Sequence, residues 1–195
     1  MPSPIAVHPE LGLPIYETSQ VAWTAQEIAS LTCSGVSRFL RHADLQCDEQ
    51  DRNLPAMLDL ANAVLREAAK ATDAKLVPYN WGLARSNPRY NFLRHPAAPV
   101  GYTLVARVAN VVNAQPLTHA QKHRLNIAVP TYEARRHTSG YFMYDLSPDQ
   151  FVNSPNSGTY LVDIDPRLAK TPEPPQSIEE RRAEYLLRLA ERSEQ

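Results

Sequence analysis

The sequence predicts an α+β fold, with N-terminal helices packed on a mainly antiparallel sheet and a C-terminal amphipathic helix after a Pro-rich linker. Three observations predict it. Helical apolar periodicity dominates residues 24–72, β-branched and aromatic runs follow as far as residue 164, and a capping signal opens a charged helix behind the segment Thr171-Pro-Glu-Pro-Pro-Gln176. The expected organisation is an extended segment over 1–22, a single α+β domain over 23–170, and a linker with its helix over 171–195. At 195 residues, 43% apolar and 21% charged, the chain can bury a core without disulfides, and a disordered, collagen-like or coiled-coil whole is excluded.

Thr24 and Glu27 have capping-box spacing, so a helix is expected to begin at Thr24, with Ile28, Leu31, Phe39 and Leu40 on its buried side and a break near Gly35. Asn53 caps a second helix expected over about 54–72, where Met57, Leu58, Ala61, Val64, Leu65 and Ala68 form an apolar stripe. Lys75 to Tyr79 reads as a short strand. Residues 80–100 hold Pro88, Pro96 and Pro99 and read as a long surface loop. The valine-rich run Tyr102 to Val112 fits a strand covered on both faces, and Thr118 opens a short helix expected to reach Ala128. Tyr132–Arg136, Gly140–Leu146 and Gly158–Ile164 read as strands separated by turn residues. Ser177 and Glu180 open the last helix, which should run to about residue 193. Its stripe Ile178, Tyr185, Leu186 and Leu189 should dock on its own domain or on a partner, so self-association through residues 177–193 is an open expectation.

Charge is unevenly distributed along the chain. Residues 1–73 carry five basic and ten acidic side chains, residues 74–144 carry nine and one, and residues 145–195 carry six and ten. The basic middle also holds an interleaved aromatic run, and cations beside aromatic faces are the chemistry of single-stranded nucleic-acid surfaces. The expected binding residues are Arg85, Arg89, Tyr90, Phe92, Arg94, Arg107, Lys122, Arg124, Arg135 and Arg136, with RNA or single-stranded DNA preferred to duplex DNA. The competing expectation is that the acidic segments pack beside the basic one and neutralise it. In addition, Ala25 to Ser37 resembles the first helix and turn of a helix-turn-helix, which would place Arg38 and Arg41 on a reading helix.

Two other classes compete with nucleic-acid binding, a protein-protein interaction module whose C-terminal helix recruits a partner, and an enzyme. Asp145, Asp163 and Asp165 on neighbouring strands could hold Mg²⁺ for phosphodiester cleavage, and His137 with Arg135, Arg136 and Tyr141 could act on RNA without a metal. His119 and His123 share a helical face but define only a pair. No glycine-rich phosphate loop, nucleophile elbow or dinucleotide fingerprint occurs, and no cofactor is expected. Cys33 and Cys47 lack metal or redox spacing and are expected as reduced thiols. With no apolar run of ~18 residues and no signal-like start, the expected compartment is the cytoplasm, away from membranes.

Overall fold

A computed structural model describes residues 3–24, 27, 38–43, 45–47, 53–89, 95–172, 174 and 176–193. Among these the strands are, in chain order, β1 (Ala6–Val7), β2 (Pro14–Tyr16), β3 (Val21–Ala22), β4 (Arg38–His42), β5 (Gln46–Cys47), β6 (Lys75–Leu76), β7 (Tyr79–Arg85), β8 (Tyr102–Ala109), β9 (Tyr141–Met143), β10 (Phe151–Ser154), β11 (Gly158–Leu161) and β12 (Arg167–Lys170). The helices are α1 (Leu54–Ala71), α2 (His119–Ala134) and α3 (Ile178–Ser193). The class is α+β, with mixed sheets. Antiparallel pairing predominates in the long pairs β7/β8, β4/β8 and β10/β11, and each sheet also contains short parallel pairs, β2 with β7, β3 with β4, β6 with β11 and β5 with β12. No helix among the described residues is long and apolar enough to cross a membrane.

The chain divides into two compact units whose segments alternate along the sequence. Unit 1 comprises Met1–Leu45, Glu49–Asp59 and Val77–Val112; unit 2 comprises Gln46–Asp48, Leu60–Leu76 and Asn113–Gln195. Unit 1 is organised by a six-stranded sheet in the order β1-β2-β7-β8-β4-β3. The long β7/β8 pair runs antiparallel from Tyr79↔Val108 to Arg85↔Tyr102, which places β8 centrally, as its valine-rich sequence requires. Tyr16, Val21, Trp23, Leu40, Ala84 and Val105 form one buried cluster on this sheet.

Two expectations are corrected in unit 1. Residues 79–85 form a buried strand and not the start of a loop; Asn80 and Gly82 interrupt its apolar pattern, while Trp81, Leu83 and Ala84 are buried. Phe39 and Leu40 lie on β4, paired with Val108 and Arg107 of β8, so they do not continue a helix from Thr24. Arg38 and Arg41 are likewise on a strand, which removes the reading helix that the helix-turn-helix resemblance implied. Residues 28–37, where the first helix was expected, lie outside the described residues. Its capping box is present: Glu27 Oε2 accepts from the amides of Trp23 at 2.7 Å and Thr24 at 2.9 Å, and Thr24 Oγ1 accepts from Glu27 N at 3.2 Å.

Helix α1 matches its expected bounds within a residue. Asn53 Oδ1 accepts from Ala56 N at 3.0 Å, and all six residues of the expected stripe are buried. Unit 2 contains two small sheets, β10-β11-β6 and β5-β12-β9, with α2 and α3 packed on each other. Helix α2 has the expected Thr118 cap but runs on to Ala134, through Pro130, so Tyr132–Arg136 is a helix end and not a strand. Asp163 and Asp165 follow β11 instead of lying on it. The short strands β10 and β12 were not foreseen, because four residues are too few to show a periodicity.

The parallel pairing of β2 with β7 depends on Gly82. A Cβ there would stand 2.7 Å from Tyr16 Cε2 and 3.0 Å from the Pro14 carbonyl oxygen, closer than packed carbon allows. Gly82→Ala should therefore destabilise the protein by roughly 1–3 kcal/mol, read as a lower midpoint in urea or thermal unfolding. An unchanged midpoint would contradict this packing.

Candidate functional site

A cleft in unit 2 forms where α2 ends. The chain leaves the helix at Arg135, whose backbone is extended, and then turns tightly, with Gly140 N donating to His137 O at 3.0 Å and Gly140 in the left-handed region at φ +70°. Glu67, projecting from α1, ties this turn down: Oε1 accepts from Thr138 N at 3.1 Å and Oε2 from Ser139 Oγ at 2.8 Å. His137 is buried beneath, with its ring edge-on to Tyr132 and stacked on Phe142. Its Nε2 donates to the Tyr132 carbonyl at 2.7 Å, which leaves Nδ1 facing Glu67 Oε2 at 3.7 Å. Burial lowers the His137 pKa, so the ring is neutral at pH 7.

Above this support, Lys70, Arg135, Arg136 and Thr138 join Glu67 and Tyr132 around a space of about 360 Å³. A second space of about 620 Å³ shares Arg136, His137 and Thr138 and extends to Thr171 and Pro172. Three cations thus face one carboxylate that is already committed to two hydrogen bonds. Lys70 lies in the last turn of α1, and Arg135 caps α2, so both sit where a helix end favours positive charge. Among the described residues nothing pairs with the side chains of Lys70, Lys122, Arg124 or Arg135. This arrangement can hold an anion of phosphate size.

The expected binding residues do not form one set. Lys122, Arg124, Arg135 and Arg136 belong to unit 2, and all four are exposed. Arg85, Arg89 and Arg107 belong to unit 1. Within that unit Arg107 is opposite Asn80, five residues from Arg85 along β7, so the two arginines project from opposite faces of the sheet, about 17 Å apart along the strand. Tyr90, Phe92 and Arg94 lie outside the described residues. Two other aromatic rings of the expected loop are interior groups: Trp81 is buried edge-on to Tyr79, and His95 Nε2 lies 2.7 Å from the Leu45 carbonyl. The basic middle of the sequence is also neutralised unit by unit, with seven cations and seven acids in unit 1, and thirteen and fourteen in unit 2. Sequence reading missed Glu67 and Lys70, because they lie on a helix recognised only by its apolar stripe.

The residues of the enzyme alternatives have structural tasks. Asp145 Oδ1 accepts from Arg167 N at 3.1 Å, and Asp163 accepts from Gln150 Nε2 at 2.6 Å and from Asp165 N at 3.4 Å. Burial, with the Asp163 charge, raises the Asp145 pKa to about 6. No group of three metal-ligating side chains occurs among the described residues. His119 and His123 are both exposed, and Tyr141 is buried.

Helix α3 docks within its own unit, through an unexpected face. Ile178 and Leu186 are about half exposed, and of the expected stripe only Tyr185 is buried. The side chains that make the docking contacts are Arg181, Tyr185 and Arg188, with the exposed Arg192 one turn further on, at helical spacing. Tyr185 Oη donates to Asn126 Oδ1 at 3.0 Å, Arg188 Nη2 donates to Glu133 Oε1 at 2.6 Å, and Arg192 donates to Ser147 Oγ at 2.7 Å and to the Asp145 carbonyl at 3.1 Å. Arg181 lies over the Phe142 ring at 5.2 Å, and Arg188 over Tyr144 at 4.8 Å and Tyr185 at 5.4 Å. Burial pushes the Glu133 pKa up to about 7, against the opposing pull of Arg188.

Comparison of the chain with protein-family models, with curated proteins and with solved structures finds no match.

The raised Glu133 pKa sets a sign for pH dependence. Glu133 holds its proton more tightly in the fold than in the unfolded chain, so its stabilisation is complete below about pH 4.5 and is lost as the pH rises through about 7. The melting temperature of the wild type should therefore fall relative to that of Glu133→Gln across this interval. Parallel pH profiles would contradict the assignment.

Proposed function

We propose that the protein is a nucleic-acid-binding accessory protein, and that its main contact surface is in unit 2, over the cleft at Lys70, Arg135 and Arg136 and along the exposed side of α2. The observation that carries this reading is the convergence of three cations and the Thr138 hydroxyl on one cleft, supported from beneath by Glu67 and His137. Arg124 extends the track. It precedes Arg135 by eleven residues, three helical turns, so both lie on one side of α2 about 16 Å apart along its axis. A flexible phosphate backbone can follow such a line of cations, whereas a space of about 360 Å³ admits a nucleotide-sized group and not a duplex. This favours RNA or single-stranded DNA. Arg85, Arg89, Tyr90, Phe92 and Arg94 enter the proposal as a second contact, belonging to unit 1, without Arg107, which projects from the sheet face opposite to Arg85.

Because neither unit carries a large net charge, binding depends on a few local phosphate contacts and not on a long-range field. With about four contacts to a single strand, the logarithm of the binding constant should fall with that of salt concentration at a slope of about −3. Replacing Lys70, Arg135 and Arg136 together by alanine should weaken binding and reduce that slope by about 2, with thermal stability little changed. Fluorescence anisotropy with single-stranded RNA, single-stranded DNA and duplex probes reads both effects. Arg85→Ala/Arg89→Ala in the same assay apportions the contribution of unit 1. Absence of salt-sensitive binding to every probe at low ionic strength would overturn the proposal.

A further inference from the structure

The line of cations along α2 ends in a concentration of positive charge. Arg124 brings one charge to the exposed side of the helix. Three turns further on, the cations around the space of about 360 Å³ outnumber its carboxylate by two, Lys70, Arg135 and Arg136 against Glu67. Neither Lys70 nor Arg135 has a side-chain partner among the described residues. Glu67 is tied to the amide of Thr138 and the hydroxyl of Ser139, which leaves the exposed Thr138 hydroxyl as a further donor at the same space. The adjoining space of about 620 Å³ does not continue the line: among the described residues it has no cation besides the shared Arg136, and its walls include Thr138, Ser139, Thr171 and Pro172.

A phosphate inside a strand is a diester, with one negative charge and two free oxygens. A phosphate at a strand end is a monoester, with about two negative charges at pH 7 and three acceptor oxygens. A surplus of two positive charges, supplied by two guanidinium forks and an ammonium, suits the monoester. The lack of further cations in the adjoining space suits a strand that stops there. We propose that the cleft at Lys70, Arg135 and Arg136 takes the terminal phosphate monoester of a single nucleic-acid strand, with the rest of the strand lying along α2 past Arg124. This inference rests on the nucleic-acid reading of the same cleft and adds which phosphate enters it. The ligand is a strand end and not a free nucleotide, because Arg124 lies about 16 Å from Arg135 along the helix axis, where only a longer chain reaches it.

Competition against a labelled single strand, read by fluorescence anisotropy at pH 7, tests this with unlabelled strands of one sequence. They carry a 5′-phosphate, a 3′-phosphate or hydroxyls at both ends, and a further hydroxyl-ended strand is one nucleotide longer, so that its number of phosphates equals that of the phosphorylated ones. A strand with a terminal phosphate, at one end or the other, should bind roughly tenfold tighter than the longer hydroxyl-ended strand. A nucleoside monophosphate should compete much more weakly than that strand. Lys70→Ala/Arg135→Ala should erase the preference for the phosphorylated end, and both side chains are exposed, so the fold should tolerate the changes. Arg124→Ala should weaken all strands alike and leave the preference in place. Equal affinity for phosphorylated and hydroxyl-ended strands would overturn this inference and leave the nucleic-acid reading standing, whereas no binding of any strand would overturn both. A nucleoside monophosphate as tight as the strand, or a preference that survives Lys70→Ala/Arg135→Ala, would also overturn the inference.

Discussion

The ion pair between Glu133 and Arg188 fixes the arrangement of unit 2. The Glu133 side chain is fully buried, and an ionised carboxylate in that position is tolerable only beside a cation held in good geometry. Arg188 supplies it at 2.6 Å, and the rings of Tyr144 and Tyr185 lie against its guanidinium. Because Arg188 must point at Glu133, the rotation of α3 about its own axis is set. Tyr185 and Arg192 then reach Asn126 and Ser147, and Leu186 and Leu187 turn outward. Glu133 is also the second-last residue of α2, so the same pair anchors the helix end from which Arg135 and Arg136 extend.

The parts of the fold legible in the sequence were those governed by local rules. Asn53, Thr118 and Ser177 cap the helices they were expected to cap, and the stripe of α1 and the valine run of β8 have the burial their patterns require. Elements whose reason lies far along the chain were not legible. Strand β7 contains Asn80 and Gly82, and Gly82 is explained only by Tyr16 lying across it. Helix α3 has two candidate faces, and hydropathy selects the wrong one, because two aromatic rings and a buried acid make arginine the better inward residue. Half of the candidate site was readable as the pair Arg135-Arg136. The other half, Glu67 and Lys70, is brought there by folding and has no signature of its own.

Charge shows the same limit. The excess of cations between residues 74 and 144 is a property of the linear order, and the alternation of segments between the two units returns each to near neutrality. What persists is local: a few cations at the end of α2 and along its exposed side. A surface of this kind acts over a Debye length or less, about 8 Å at physiological salt, so on the proposed reading it would discriminate by where phosphates can be placed and not by bulk attraction. Helix α3 holds the unit together through an arginine face turned inward and leaves Leu186 and Leu187 exposed on its other side.

A double-mutant cycle on Glu133 and Arg188 tests the central claim most directly, with unfolding free energies measured at neutral pH for the wild type, Glu133→Gln, Arg188→Met and the double variant. The account predicts strong coupling, with Arg188→Met alone more damaging than the pair of changes together and an interaction energy of about 1–3 kcal/mol. Additive effects with no interaction energy would contradict it, because α3 would then be held by something other than the buried pair.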